Sequence, residues 1–113
     1  MISNPFSRST PGADPQTVDY EDFAQAVKAG TIAVVDVREP QEFAAGHVPG
    51  AVNLPLSSFD PSRLPSGKPV VLMCGSGKRS LAALNKAQAS GRKDVKHYPG
   101  GMAGWRAHNG EVA

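Results

Sequence analysis

The 113-residue chain has a single cysteine, Cys74. An intrachain disulfide is therefore impossible, and neither a cage of several thiolates around zinc nor a Cys-x-x-Cys redox pair can be assembled. Long apolar runs are also missing. The longest, Ile32 to Val35 and Val70 to Met73, fall far short of the roughly 20 residues that a membrane-spanning helix needs. The opening residues Met1-Ile-Ser-Asn-Pro-Phe-Ser-Arg lack the charged start and apolar stretch of a secretory signal, so a cytoplasmic location is expected, with no membrane partner. Aromatic residues are few, at 6%, and bases are scarce in the first half. Residues 1 to 50 hold three bases against seven acids, a net −4, and residues 51 to 113 hold nine bases against three acids, a net +6. The bases are spread along the sequence with few aromatics between them, a pattern that suits steering of small anions and argues against nucleic acid as a partner.

What is present is globular composition, 40% hydrophobic and 19% charged, enough for one ordinary core at this length. Residues 1 to about 16 are rich in Ser and Pro without periodicity and are expected to form a flexible leader, with one domain over residues 17–113. Asp19 is placed to cap a helix over Tyr20 to Ala29, which Gly30 ends. Ile32-Ala-Val-Val-Asp36 and Val70-Val-Leu-Met73 are short β-branched runs of the kind covered on both faces of a parallel sheet. Ala51 to Asn53 and Val95 to Tyr98 read as further strands. Pro40 starts a short helix that Gly46 closes, Ser80 to Ala89 is rich in helix formers, and Met102 to His108 forms a last helix. This alternation predicts an α/β fold with a parallel sheet.

The chemistry concentrates in Cys74-Gly-Ser-Gly-Lys-Arg-Ser80, between a buried strand and a helix. In a parallel sheet that junction lies at the C-terminal edge, where ligands bind. Gly75 and Gly77 let the backbone curl with successive N–H groups inward, and the helix adds the positive end of its dipole. Ser76 and Ser80 add hydroxyl donors, and Lys78 and Arg79 add charge at a helix end where cations are mildly unfavourable unless an anion is bound. An ordinary thiol is only a few per cent ionised at pH 7; one held in such a cradle ionises more readily. A free cysteine is more often a buried packing residue. Here the cradle turns the balance toward a nucleophile, with Gly75, Ser76, Gly77, Lys78, Arg79 and Ser80 as the anion site.

The stretch Asp36-Val-Arg-Glu-Pro-Gln-Glu-Phe-Ala-Ala-Gly-His-Val-Pro-Gly-Ala-Val-Asn-Leu-Pro55, the cysteine loop and Gly100-Gly-Met-Ala-Gly-Trp105, in that order, closely resemble the rhodanese family. The resemblance covers about Val18 to Trp105. It implies a small rhodanese-like domain with a central, mainly parallel five-stranded sheet flanked by helices and a six-residue active-site loop, Cys74 to Arg79. It also implies a sulfurtransferase in which Cys74 carries sulfur as a persulfide from a small anionic donor to cyanide, a thiol or a protein acceptor, without a metal or organic cofactor. Asp36 and Arg38 are expected to support the loop as a polar framework. His47 is expected to be a hydrogen-bonded turn residue and Trp105 a core residue; His97 and His108 show no catalytic partner in the sequence. Basic loop residues favour thiosulfate as donor, although Cys-Gly-Ser-Gly is also typical of members acting on 3-mercaptopyruvate. A sulfur-relay or regulatory module is the alternative, and a phosphatase or arsenate reductase is disfavoured, because only Gly75 to Lys78 separate Cys74 from Arg79 and Met73 stands where phosphatases carry histidine.

Overall fold

The computed structural model describes residues 15–113. All but the last two residues of the expected leader lie outside that range. Helix α1 (Tyr20–Ala29) leads into β1 (Ala33–Asp36), α2 (Pro40–Ala44), β2 (Val52–Asn53), two single 3-10 turns, β3 (Val70–Met73), α3 (Lys78–Ala89), β4 (Val95–His97) and α4 (Gly101–Ala107). The Asp19 side chain accepts from the Asp22 N–H, and Gly30 closes α1 in the left-handed conformation, so the first helix has the ends that its sequence dictates.

The strands pair in the order β2-β1-β3-β4, all parallel. Among the described residues the sheet has four strands, not the five expected. Where a fifth would lie, the segment before α1 makes a single parallel bridge from Thr17 to His97, with Val18 N–H donating to the His97 carbonyl and His97 N–H to that of Gln16. Two residues past the bridge, Asp19 caps α1 and turns the chain out of the sheet.

Both faces of the sheet are covered, which is why β1 and β3 read as unbroken apolar runs. On one face Val34, Val71 and Met73 pack with Phe23 of α1 and with Tyr98, Met102 and Trp105. Phe23 stacks on Tyr98 at 4.5 Å and meets Trp105 edge-on at 5.5 Å. On the other face Val35, Val70, Leu72 and Val95 receive Ala83, Leu84 and Ala87 of α3. The register pairs Asp36 with Met73 and Leu72 with His97, so the C-terminal ends of β1 and β3 and the loop beginning at Cys74 share one edge.

Candidate active site

Cys74 follows the last residue of β3, and its side chain is buried. The backbone then turns through Gly75, Ser76 and Gly77 into α3, which starts at Lys78, two residues earlier than its composition suggests. Gly77 has φ +99°, and a Cβ there would lie 2.7 Å from the Pro99 carbonyl oxygen; both facts require glycine. The turn is pinned from outside by α4. Met102 N–H donates to the Cys74 carbonyl at 2.8 Å, and Ala103 N–H donates to the Gly75 carbonyl at 3.1 Å. In a trans peptide the N–H points opposite to the C=O, so holding these two carbonyls outward turns the N–H groups of Gly75 and Ser76 inward. Gly101, at φ +61°, makes that approach possible: a Cβ there would lie 2.5 Å from the Gly75 oxygen.

The sulfur sits at the focus of this turn. Gly77 N–H donates to Sγ at 3.1 Å, Ser80 N–H donates at 3.3 Å, and the Ser80 hydroxyl lies 3.6 Å away. Burial pushes the thiol pKa up. The N–H and hydroxyl of Ser80, with the N–H groups of Gly77 and Ser76, more than offset it and hold Cys74 below the usual thiol value.

The remaining loop residues divide into outer and inner groups. Ser76 and Lys78 are exposed. Arg79 is not an unpaired cation: its Nη1 and Nη2 reach the two carboxylate oxygens of Glu42, in α2, at 2.7 and 3.1 Å. The Arg79 guanidinium and the Glu39 N–H together hold the Glu42 carboxyl at about 2. Ser80, expected to offer its hydroxyl to a bound anion, instead faces inward. It is fully buried, with Oγ 2.9 Å from His97 Nδ1 and donating to the Gly77 carbonyl at 3.2 Å. Asp36 and Arg38 pair with each other, with Nη2 to Oδ2 at 2.8 Å, and Arg38 Nη2 also donates to the Gly46 carbonyl. They tie the end of β1 to the turn after α2.

Sequence reasoning missed two members of this site. Glu42 reaches Arg79 across 37 residues of chain, and nothing local to either residue signals the pair. His97 shows no catalytic partner in the sequence, yet alternation along β4 places it beside Val95 on the α3 face. The inner stripe of α3, Ser80, Ala83, Leu84 and Ala87, carries its polar member opposite His97. Of the other singled-out residues, His47 donates from Nδ1 to the Phe43 carbonyl at 2.8 Å and stacks on the Phe43 ring. His108 stacks on Tyr20. The Trp105 indole N–H donates to the Glu111 carbonyl at 2.7 Å, which meets the need of a buried indole for a partner.

The rhodanese-like domain model matches residues 19–108, which include every element described above from α1 to α4. The chain belongs to the rhodanese-like domain family. Among its relatives, this rhodanese-like chain is 38% identical over 92 residues to an uncharacterized protein of Synechocystis, covering 80% of the present chain and 51% of that protein. It thus spans about half the length of that relative. It is 30% identical over 122 residues to the thiosulfate:glutathione sulfurtransferase of Saccharomyces cerevisiae, covering 93% of this chain and 88% of the yeast protein. The rhodanese-like fold also matches the human single domain sulfurtransferase with a TM-score of 0.71 and 27% identity, over 83% of this chain and 97% of the human one. No helix among the described residues is long and apolar enough to cross a membrane.

Proposed function

We propose that this protein is a sulfurtransferase in which Cys74 carries a sulfane sulfur as a persulfide, with thiosulfate as the favoured donor and a thiol, cyanide or a protein thiol as acceptor. The observation that carries this reading is the position of Sγ. It is the centre of a turn whose N–H groups from Gly77 and Ser80 already point at it, at 3.1 and 3.3 Å. Donors aimed at one sulfur stabilise the thiolate that attacks and the persulfide anion that results. The Cys74 thiolate attacks the outer sulfur of thiosulfate, the sulfur–sulfur bond of the donor breaks, and sulfite leaves with the bonding pair. An acceptor thiolate then attacks the terminal sulfur of the persulfide and restores the Cys74 thiolate. Two separate half-reactions predict ping-pong kinetics. Exposed Lys78 and Ser76 border the approach of the anion, and the name of the yeast relative, thiosulfate:glutathione sulfurtransferase, supports both the donor and a thiol acceptor.

The working unit in this proposal is residues 17–113. A reducing, cytoplasmic setting suits its single free cysteine. A phosphatase fits less well: four residues separate Cys74 from Arg79, and the Arg79 guanidinium is engaged by Glu42. The test is the intact mass after incubation with thiosulfate and removal of excess. A gain of one sulfur atom, reversed by reductant and missing in Cys74→Ser, is expected. If thiosulfate leaves the mass unchanged, 3-mercaptopyruvate is the next donor; failure of both leaves a relay or binding module as the function.

A further inference from the structure

Two polar side chains meet inside the otherwise apolar layer between β3, β4 and α3. Ser80 is fully buried and His97 is 5% exposed, on the same side of the sheet as the apolar cluster of Leu72, Ala83, Leu84 and Val95. Burial of such groups requires each to be satisfied, and among the described residues no buried side-chain nitrogen or oxygen lacks a hydrogen bond. They are satisfied in a line: Cys74 Sγ to Ser80 Oγ at 3.6 Å, then Ser80 Oγ to His97 Nδ1 at 2.9 Å.

A hydroxyl has one proton to give, and Ser80 has three atoms within reach of it: Sγ, Nδ1 and the Gly77 carbonyl oxygen. Which of them receives it depends on the other two. With Nδ1 unprotonated, the hydroxyl donates to the imidazole and its oxygen faces the sulfur as an acceptor, the arrangement that suits a thiol. With Nδ1 protonated, the imidazole donates to Oγ and the hydroxyl is free to donate to sulfur, the arrangement that suits a thiolate.

We propose that His97 takes up the Cys74 proton through the Ser80 hydroxyl. The thiol proton passes to Ser80 Oγ, the hydroxyl's own proton passes to His97 Nδ1, and the chain inverts from S–H···O–H···N to S⁻···H–O···H–N⁺. One S–H bond is broken and one N–H bond made, no proton leaves the protein, and every group stays hydrogen-bonded in both states. The sulfur thus ionises without passing its proton to solvent, and the imidazolium charge created in the apolar layer is balanced by the thiolate two hydrogen bonds away. His97 does not touch the sulfur and is a positioning residue.

Arg79 of α3 is paired with Glu42 of α2, and Asp36 of β1 with Arg38. Lys96 of β4 points to the opposite face of the sheet by strand alternation. The segment before α1 meets His97 through the backbone of Gln16 and Val18, and its Asp19 carboxylate caps α1.

This inference rests on Cys74 being the sulfur carrier, so the test uses no sulfur donor and reads protonation directly. Ultraviolet thiolate absorbance is titrated in the intact protein and in His97→Asn, with Cys74→Ser as the blank, and the His97 imidazole is titrated by NMR in the intact protein and in Cys74→Ser. The expected thiolate curve has two steps in the intact protein. In His97→Asn a single step is expected, displaced upward by about one unit, or about tenfold less thiolate at its foot. The His97 midpoint is expected to fall in Cys74→Ser, because the balancing thiolate is gone. A thiolate curve unchanged by His97→Asn overturns the proposal. So does a His97 midpoint unchanged in Cys74→Ser, even if the thiolate curve moves, because His97 would then act by packing alone. Should His97→Asn fail to fold, the Cys74→Ser comparison decides. Loss of sulfur loading with both titrations as expected would instead overturn the proposed sulfurtransferase activity and leave the relay standing.

Discussion

Replacing Gly101 with alanine separates the backbone strain of the closing turn from its contact with the cysteine loop, provided Gly30→Ala is measured beside it. The two glycines have nearly the same conformation, φ +61° and +70°. An alanine in this left-handed region costs roughly 1–2 kcal/mol at either site. The surroundings differ. A Cβ on Gly30 would meet nothing within 4 Å, whereas one on Gly101 would lie 2.5 Å from the Gly75 oxygen and 2.6 Å from the Cys74 oxygen, both backbone atoms. To relieve that overlap α4 must move off the loop, loosening the bonds from Met102 to Cys74 and from Ala103 to Gly75, worth about 0.5–1.5 kcal/mol each. Gly30→Ala is therefore expected to lose about 1–2 kcal/mol, and Gly101→Ala about 2–5 kcal/mol. In thermal unfolding, at about 4–8 °C per kcal/mol for a domain near this size, the second variant should melt well below the first. It should also show a raised Cys74 pKa, because its loop N–H groups are no longer held inward. Equal melting shifts, or an unmoved Cys74 titration in a destabilised Gly101→Ala, would refute the view that α4 shapes the cradle.

Asp36→Asn should cost about 3–5 kcal/mol in urea unfolding, because it leaves the buried Arg38 guanidinium without a counter-charge; removing Arg38 as well should recover part of that loss. Glu42 has its carboxyl lowered from 4.5 to about 2 by Arg79, so its contribution to stability is full above about pH 4.5 and disappears as the pH falls through about 2. The pair is more than a third exposed, which limits that contribution to under about 1 kcal/mol; Glu42→Gln should flatten the acid limb of the stability–pH curve by that amount. The same variant releases the Arg79 guanidinium, and if the proposed thiosulfate reaction is the activity, a lower KM for thiosulfate is expected in steady-state assays. Phe23→Ala removes the ring that stacks on Tyr98 and abuts Trp105 and should cost about 3–5 kcal/mol by chemical denaturation.

The fold class was legible because its signals are local. Two β-branched runs, an Asp cap, a closing glycine and a proline at a helix start each constrain a few neighbouring residues, and the elements appear where those residues stand. The candidate nucleophile stood out in the sequence for the same reason, since cysteine, glycines and helix start are contiguous from Cys74 to Ser80. The tertiary structure decided what lies across the chain. It determined that a single Thr17–His97 bridge occupies the place of a fifth strand, that Arg79 faces Glu42 37 residues away, and that α4 holds the loop carbonyls outward. It also turned the Ser80 hydroxyl from the open side of the loop toward His97. Hydrogen bonds and ion pairs fall off within a few ångströms, so which side chains they join depends on strand register and helix packing, and neither is written in any short stretch of sequence.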